Sequence, residues 1–148
     1  MNDTAELQRE KSVDADSQHR ANPSPRILVA EDEDVLRRLI ANSLIESGYE
    51  VDAAEDGAAA WEALQTKHYD LVITDNSMPK VTGIALVKML RNRDATLPVV
   101  MVSGLKPSDD PNWHPSLGIS AVLLKPFGLG TLRDTVEHVL RAAVPAAM

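Results

Sequence analysis

From Arg26 onward the apolar residues follow two alternating rhythms. Short runs of mostly branched residues, four or five long, are separated by stretches in which apolar positions recur every three or four residues. Ile27-Leu28-Val29-Ala30 is the first short run, and acids follow it at once. It reads as a strand buried on both faces. Residues 34–47 then place Val35, Leu36, Leu39, Ile40 and Leu44 at helical spacing, with Arg37, Arg38 and Glu46 on the other side and Gly48 as the stop. Tyr49 to Ala54 reads as a second strand. Gly57 to Gln65 reads as a helix facing inward through Ala60, Trp61 and Leu64. Leu71 to Thr74 is a third strand ending at Asp75, and residues 83–92 are helical through Ile84, Val87 and Leu90. Pro98 to Val102 is a fourth strand ending at Ser103, and Ala121 to Leu124 a fifth ending at Lys125. Thr131 to Ala143 closes the pattern as an amphipathic helix, with Leu132, Val136, Val139 and Leu140 inward.

Strands alternating with helices predict an α/β fold: a doubly wound, five-stranded parallel sheet with helices on both faces. The rhythm breaks between Lys106 and Pro115, where Pro107, Pro111 and Pro115 accompany Asp109 and Asp110. An interior proline costs a helix about 3 kcal/mol. The fourth helix is therefore expected to be irregular or shortened, a loop with one or two turns at most. Trp113, inside this stretch, is either a loop anchor or an exposed partner contact. Trp61 reads as packing.

Composition narrows the function. The chain has 148 residues, 22 acidic and 15 basic, for a net charge of −7. That balance disfavours a nucleic-acid-coating protein. With no cysteine, disulfides, thiolate metal sites and Cys nucleophiles are excluded. The absence fits a cytoplasmic location. No apolar run approaches the roughly 20 residues of a membrane span, and no secretory signal core is present. Residues 1–25 are polar and end Asn22-Pro23-Ser24-Pro25, which predicts a disordered leader. A transient helix over residues 4–12, or docking to a partner, is the alternative there. Residues 26–143 then form the folded domain and 144–148 a short tail, which leaves no room in this chain for an output domain.

The strand ends carry the chemistry. In a parallel sheet Glu31, Asp32, Asp75, Ser103 and Lys125 all project from one edge. Three close carboxylates repel unless a cation neutralises them, and hard oxygen donors select Mg²⁺, Mn²⁺ or Ca²⁺. A carboxylate can itself accept a phosphoryl group. A lysine can pair with that group, and a hydroxyl can donate to one of its oxygens. Each residue also has a plainer reading. Asp75 could cap a turn, Ser103-Gly104 could be an ordinary turn, and Glu31 and Asp32 could be helix N-terminal charges. The four histidines are scattered and suggest no metal site.

Several segments together resemble the response-regulator receiver domain of bacterial two-component signalling, of CheY-like, flavodoxin-like (βα)₅ architecture. They are Ile27 to Asp32, Asp75-Asn76-Ser77-Met78-Pro79 with Gly83, Val99 to Gly104, and Leu124-Lys125-Pro126-Phe127; Ala54-Glu55-Asp56-Gly57 with Ala60 resembles the family's second βα loop. The resemblance spans residues 26–143. It implies that Asp75 accepts a phosphoryl group from a histidine kinase or phosphotransfer protein. It implies Mg²⁺ or Mn²⁺ held by Glu31, Asp32, Asp75 and the Ser77 carbonyl. Ser103 and Lys125 would contact the phosphoryl group, and Pro126 would follow a cis peptide bond. The purpose would be signalling to an unknown downstream protein, with only weak Mg²⁺-dependent autophosphorylation and autodephosphorylation.

Departures from the family pattern are also visible. The common switch aromatic is replaced by Val122, the first acid is Glu31 where Asp is commoner, and Thr82 stands where an acid often precedes Gly83. Val122 and the broken fourth helix motivate the alternative of a phosphorylation-independent interaction module. A phosphatase-type enzyme is weaker, because neither Asn76 nor Ser77 can serve as the second acid–base carboxylate. A flavin-binding protein is weaker still.

Overall fold

The computed structural model describes residues 23–143. Five parallel strands form one sheet: β1 (Arg26–Ala30), β2 (Glu50–Ala54), β3 (Leu71–Asp75), β4 (Val99–Ser103) and β5 (Ala121–Leu124), in the order β2-β1-β3-β4-β5. Four helices connect or follow them: α1 (Asp34–Glu46), α2 (Gly57–Thr66), α3 (Gly83–Arg91) and α4 (Leu129–Ala143). The order makes β1 the start of two opposite windings. The chain leaves β1 outward to β2, then returns to β3 on the far side of β1. A crevice opens where those connections part, above the carboxyl ends of β1 and β3.

Strand alternation builds two cores. Ile27 and Val29, Leu71 and Ile73, and Val100 and Val102 face one side, where Ile40 and Leu44 of α1 and Leu132, Val136 and Val139 of α4 cover them. Leu28, Val72, Val99 and Met101 face the other, under Ala60 and Leu64 of α2 and Ile84, Leu86, Val87 and Leu90 of α3. Each large aliphatic side chain taken fully out of water contributes about 1.5–3 kcal/mol.

Several boundaries and facings differ from the pattern reading. Val35 and Leu39 are 59% and 47% exposed rather than inward. They lie one residue, about 100° of helix, from Leu36 and Ile40, which take the sheet-facing stripe together with Ser43 and Leu44. Arg37 lies half-buried and turns back to the end of β1 instead of pointing away. Helix α4 begins at Leu129, two residues before Thr131, because Leu132 N–H already bonds the Gly128 carbonyl at 3.1 Å. Gly48 does end α1, in the left-handed region at φ 100°. The leader expected over 1–25 and the tail over 144–148 fall almost entirely outside the described residues.

The fourth connection holds two short 3₁₀ turns, Pro107–Asp109 and Pro115–Leu117, in place of a helix. Proline opens each turn, where the missing N–H costs nothing. The segment still covers the sheet: Leu117 is buried, and Trp113 and Ile119 pack against the α2–α3 core. Trp113 is thus a loop anchor, and Trp61 packs against the same core. Arg91 secures the far end, donating to the carbonyls of Leu117 at 2.8 Å, Gly118 at 3.1 Å and Leu97 at 2.8 Å.

Gly83 brings α3 close to the end of β3. A Cβ there would overlap the Asp75 carbonyl oxygen and sit 2.8 Å from Asn76 Cα and 3.0 Å from Met101 Sδ. Two of those neighbours are backbone, so they cannot swing aside. Alanine gains at most about 1 kcal/mol of helix propensity, which the overlap outweighs. Gly83→Ala is therefore expected to destabilise the fold by about 1–3 kcal/mol in urea unfolding. Gly104→Ala, with nothing within 4 Å of its Cβ, is expected to stay within about 0.5 kcal/mol of wild type.

Candidate functional site

Each site residue is placed by the end of a strand. β1 pairs with β3 from Ile27↔Leu71 to Ala30↔Thr74, so Glu31 and Asp75 emerge side by side. Asp75 pairs across to Val102, and Ser103 pairs with Leu124, so Ser103 and Lys125 follow one step further along the same edge. The Lys125–Pro126 peptide is cis. The structure thus gathers Glu31, Asp32, Asp75, Ser103 and Lys125 at one edge. Ser77 lies exposed in the loop that leaves β3.

Glu31, Asp32 and Asp75 each offer a carboxylate oxygen within 4.8 Å of the other two. Glu31 is 1% exposed and Asp75 3%, whereas Asp32 faces solvent. The Lys125 ammonium reaches in from the side, 3.2 Å from Asp75 Oδ1 and 3.9 Å from Glu31 Oε1. One positive charge therefore faces three carboxylates. Burial pushes the Glu31 carboxyl up to about 7, with the Asp75 charge adding to the rise, against the opposing effects of the Glu33 N–H bond and Lys125. Burial raises Asp75 as well, with Lys125 pulling the other way.

The hydrogen bonds around Glu31 are uneven. Its Oε2 accepts the Glu33 N–H at 3.1 Å, while Oε1 is buried without a hydrogen-bond partner. A buried carboxylate oxygen without a donor costs about 1–3 kcal/mol or more. That orphaned oxygen, aimed into a cluster of carboxylates, fits a hard divalent cation such as Mg²⁺. Of the other site groups, Ser103 Oγ accepts the Leu105 N–H at 3.0 Å, so the turn reading of Ser103-Gly104 is correct as far as it goes. Its own O–H is the donor available to an anion.

The loop after Asp75 is held from several directions. Asn76 receives most of these bonds: its carbonyl accepts Gly83 N–H at 2.9 Å and its Oδ1 accepts Ile84 N–H at 3.1 Å. Lys80 sits in the left-handed region at φ 71° and pairs with Asp56 at 3.5 Å. Asp56 also caps α2 through Ala59 N–H at 2.8 Å, and that bond holds its carboxyl below the usual range. Thr82 caps α3 through Ala85 N–H at 3.1 Å, which accounts for a hydroxyl at that position. The sequence reading missed three of these supports. Arg37 bonds the Glu31 carbonyl at 2.9 Å, Lys80 reaches Asp56, and Asn76 Nδ2 donates to Asp110 at 3.0 Å. No spacing rule pairs residues 34 positions apart. Val122 packs half-buried against the α2–α3 core.

The Glu31 shift has a sign that can be checked. Because its folded value lies above the ordinary 4.5, the folded state holds the extra proton between pH 4.5 and about 7. The stability Glu31 contributes is then lost as pH rises through that window and is level above it. In metal-free protein, Glu31→Gln should gain on wild type across those pH values, by roughly 3 kcal/mol at most, in urea midpoints measured at several pH values. Added Mg²⁺ should raise the wild-type midpoint more at pH 8 than at pH 5, and that of the variant less at either.

Comparison with known proteins agrees with this geometry. Residues 27–137 match the family described as response regulator receiver domain. The response regulator receiver protein CpdR of Brucella abortus is 35% identical over 123 residues, covering 80% of this chain and 98% of that protein. The alkaline phosphatase synthesis transcriptional regulatory protein SphR of Synechococcus elongatus is 34% identical over 130 residues, covering 82% of this chain; the chain spans 51% of SphR's length. Response regulator TrrA of Thermotoga maritima, solved in complex with Mg²⁺-BeF, superposes with a TM-score of 0.69 at 29% identity, covering 78% of this chain and 98% of that one. With the flavodoxin-like strand order and the acidic strand ends, the match over most of its length means that this chain belongs to the response regulator receiver domain family.

Proposed function

We propose that Asp75 accepts a phosphoryl group from a histidine kinase or histidine phosphotransfer protein, and that the modified chain signals to a downstream protein. The observation that carries this reading is the buried Asp75 carboxylate, 3.2 Å from the Lys125 ammonium and beside the orphaned Glu31 Oε1. A carboxylate oxygen of Asp75 attacks phosphorus. The bond from phosphorus to the donor imidazole nitrogen breaks, and its electron pair stays on that nitrogen. Lys125 offsets the negative charge that arrives, and the Ser103 O–H donates to a phosphoryl oxygen. Hydrolysis reverses the charge change: water attacks phosphorus, the Asp75 carboxylate leaves, and phosphate is released.

Glu31, Asp32, Asp75 and the Ser77 carbonyl would hold Mg²⁺ or Mn²⁺. When bound, the ion supplies positive charge that lets two anions approach. TrrA, solved with Mg²⁺-BeF, supports this assignment by likeness. Turnover is incidental to such a site. The protein acts as a signalling phosphoacceptor in the manner of its family rather than as an enzyme on small substrates. Among the described residues no helix is long and apolar enough to cross a membrane, and a cytoplasmic site of action accords with a kinase donor.

Intact mass after incubation with acetyl phosphate checks the acceptor. Wild type should gain one phosphoryl group with Mg²⁺ and none with EDTA, and Asp75→Asn should gain none. Lys125→Met should be labelled roughly 10–100-fold more slowly. No gain from acetyl phosphate or from a competent kinase would replace this reading with a phosphorylation-independent interaction module.

A further inference from the structure

The residue beside the acceptor is bonded to a segment far along the chain. Asn76 shares a peptide bond with Asp75, and its side chain joins two elements. Its Oδ1 accepts from Ile84 N–H at the start of α3, and its Nδ2 donates to Asp110 Oδ2 at 3.0 Å. Asp110 in turn organises the segment that replaces the fourth helix. Its Oδ1 accepts Asn112 N–H at 2.9 Å, and its carbonyl accepts Trp113 N–H at 3.1 Å. One carboxylate thus ties the loop of the acceptor to the backbone that positions the Trp113 ring.

The rest of the segment is held by local bonds. Each 3₁₀ turn closes on itself, and the His114 ring bonds Ser116 N–H at 3.1 Å. The far end is fixed to α3 by Arg91 through the Leu117 and Gly118 carbonyls. Between Asp110 and those carbonyls, Trp113 is the large side chain that seats the segment on the core. A groove of about 320 Å³, lined by Asn76, Thr82, Ile84, Ala85, Lys88 and Asn112, runs between the segment and α3, beside the Asn76–Asp110 bond. By contrast, the route through β5 has a small side chain at Val122, which packs into the core beside its neighbours.

We propose that the Asn76–Asp110 hydrogen bond is the tether through which the state of Asp75 reaches the Pro107–Leu117 segment and resets Trp113. The inference rests on the reading of Asp75 as the phosphoacceptor. A phosphoryl group on Asp75 adds bulk and negative charge one residue from an amide bonded to a carboxylate. Asp110 is the group that must yield, because the other bonds of Asn76 are to backbone atoms of β4 and α3. Asp110 carries Asn112 and Trp113 with it, so the groove wall shifts while the Arg91 end stays fixed. Coupling of this kind needs an element with two arrangements, and a segment built of single turns rather than a continuous helix can supply it.

The test follows the two indole N–H signals in ¹H–¹⁵N spectra, assigned with Trp61→Phe, before and after acetyl phosphate with Mg²⁺. Intact mass is read on the same samples. In wild type the Trp113 signal should move on phosphorylation. In Asp110→Ala the mass gain should persist while that movement is lost, and Asn76→Ala should lose it too. Asp110→Asn keeps an acceptor oxygen for Asn76 and should restore the movement, which a general loosening of the segment would not explain. A phosphorylated wild type with an unmoved Trp113 signal, or a phosphorylated Asp110→Ala in which it still moves, overturns the tether and leaves the acceptor reading intact. Absence of any mass gain in wild type overturns both.

Discussion

The structure depends on two carboxylates, Glu31 and Asp75, buried side by side where β1 and β3 part company. Such a pair is unfavourable by itself: burial penalises each charge and proximity penalises both. Lys125 offsets part of that cost from 3.2 and 3.9 Å. It leaves Glu31 Oε1 without a hydrogen-bond donor and Glu31 raised to about 7. The site is therefore poised for a further positive charge, and its stability depends on pH for the same reason. The surrounding aliphatic cores supply the free energy that keeps this arrangement folded.

Holding the loop after Asp75 in place takes contacts from both α2 and α3. Gly83 lets α3 come against the Asp75 carbonyl, and Asn76 bonds across to the helix start. Gly57 does the same on the α2 side, where a Cβ would collide with the Val81 backbone. Asp56 adds a cap for α2 and a charge partner for Lys80. Small residues at two close approaches and short polar side chains at two caps thus aim one carboxylate. Rigid support of this kind fixes where the Asp75 carboxylate points.

The fourth connection is where this chain differs most from a regular alternation of strand and helix. Three prolines rule out a helix of ordinary length, yet the sheet face below still has to be covered. Trp113, Leu117 and Ile119 cover it from an irregular backbone, and Arg91 satisfies carbonyls that no helix bonds. The exchange produces a surface of single turns, each closed by its own bonds, beside the loop that follows Asp75.

Much of the fold was legible in the sequence, because strand and helix periods are local. Apolar runs ending in Asp32, Asp75, Ser103 and Lys125 predicted a parallel sheet, and parallel strands put all their carboxyl ends on one edge. That geometry alone placed Glu31, Asp32, Asp75, Ser103 and Lys125 together, whereas Ser77 entered only through the family resemblance. The proline triplet predicted the irregular fourth connection by the same local reasoning. Facing within α1 was misjudged at Val35 and Leu39, since an apolar residue one step off the stripe looks the same in sequence as one on it. Partnerships between distant segments were not legible at all. That Asn76 meets Asp110, that Arg37 turns back to Glu31, and that Glu31 Oε1 lacks a donor depend on how packed elements approach one another. The sequence by itself determined the strands, the edge they share and the residues on it. The tertiary structure decided burial, charge balance and cross-chain bonding, because those follow from distances that only the packed sheet and helices set.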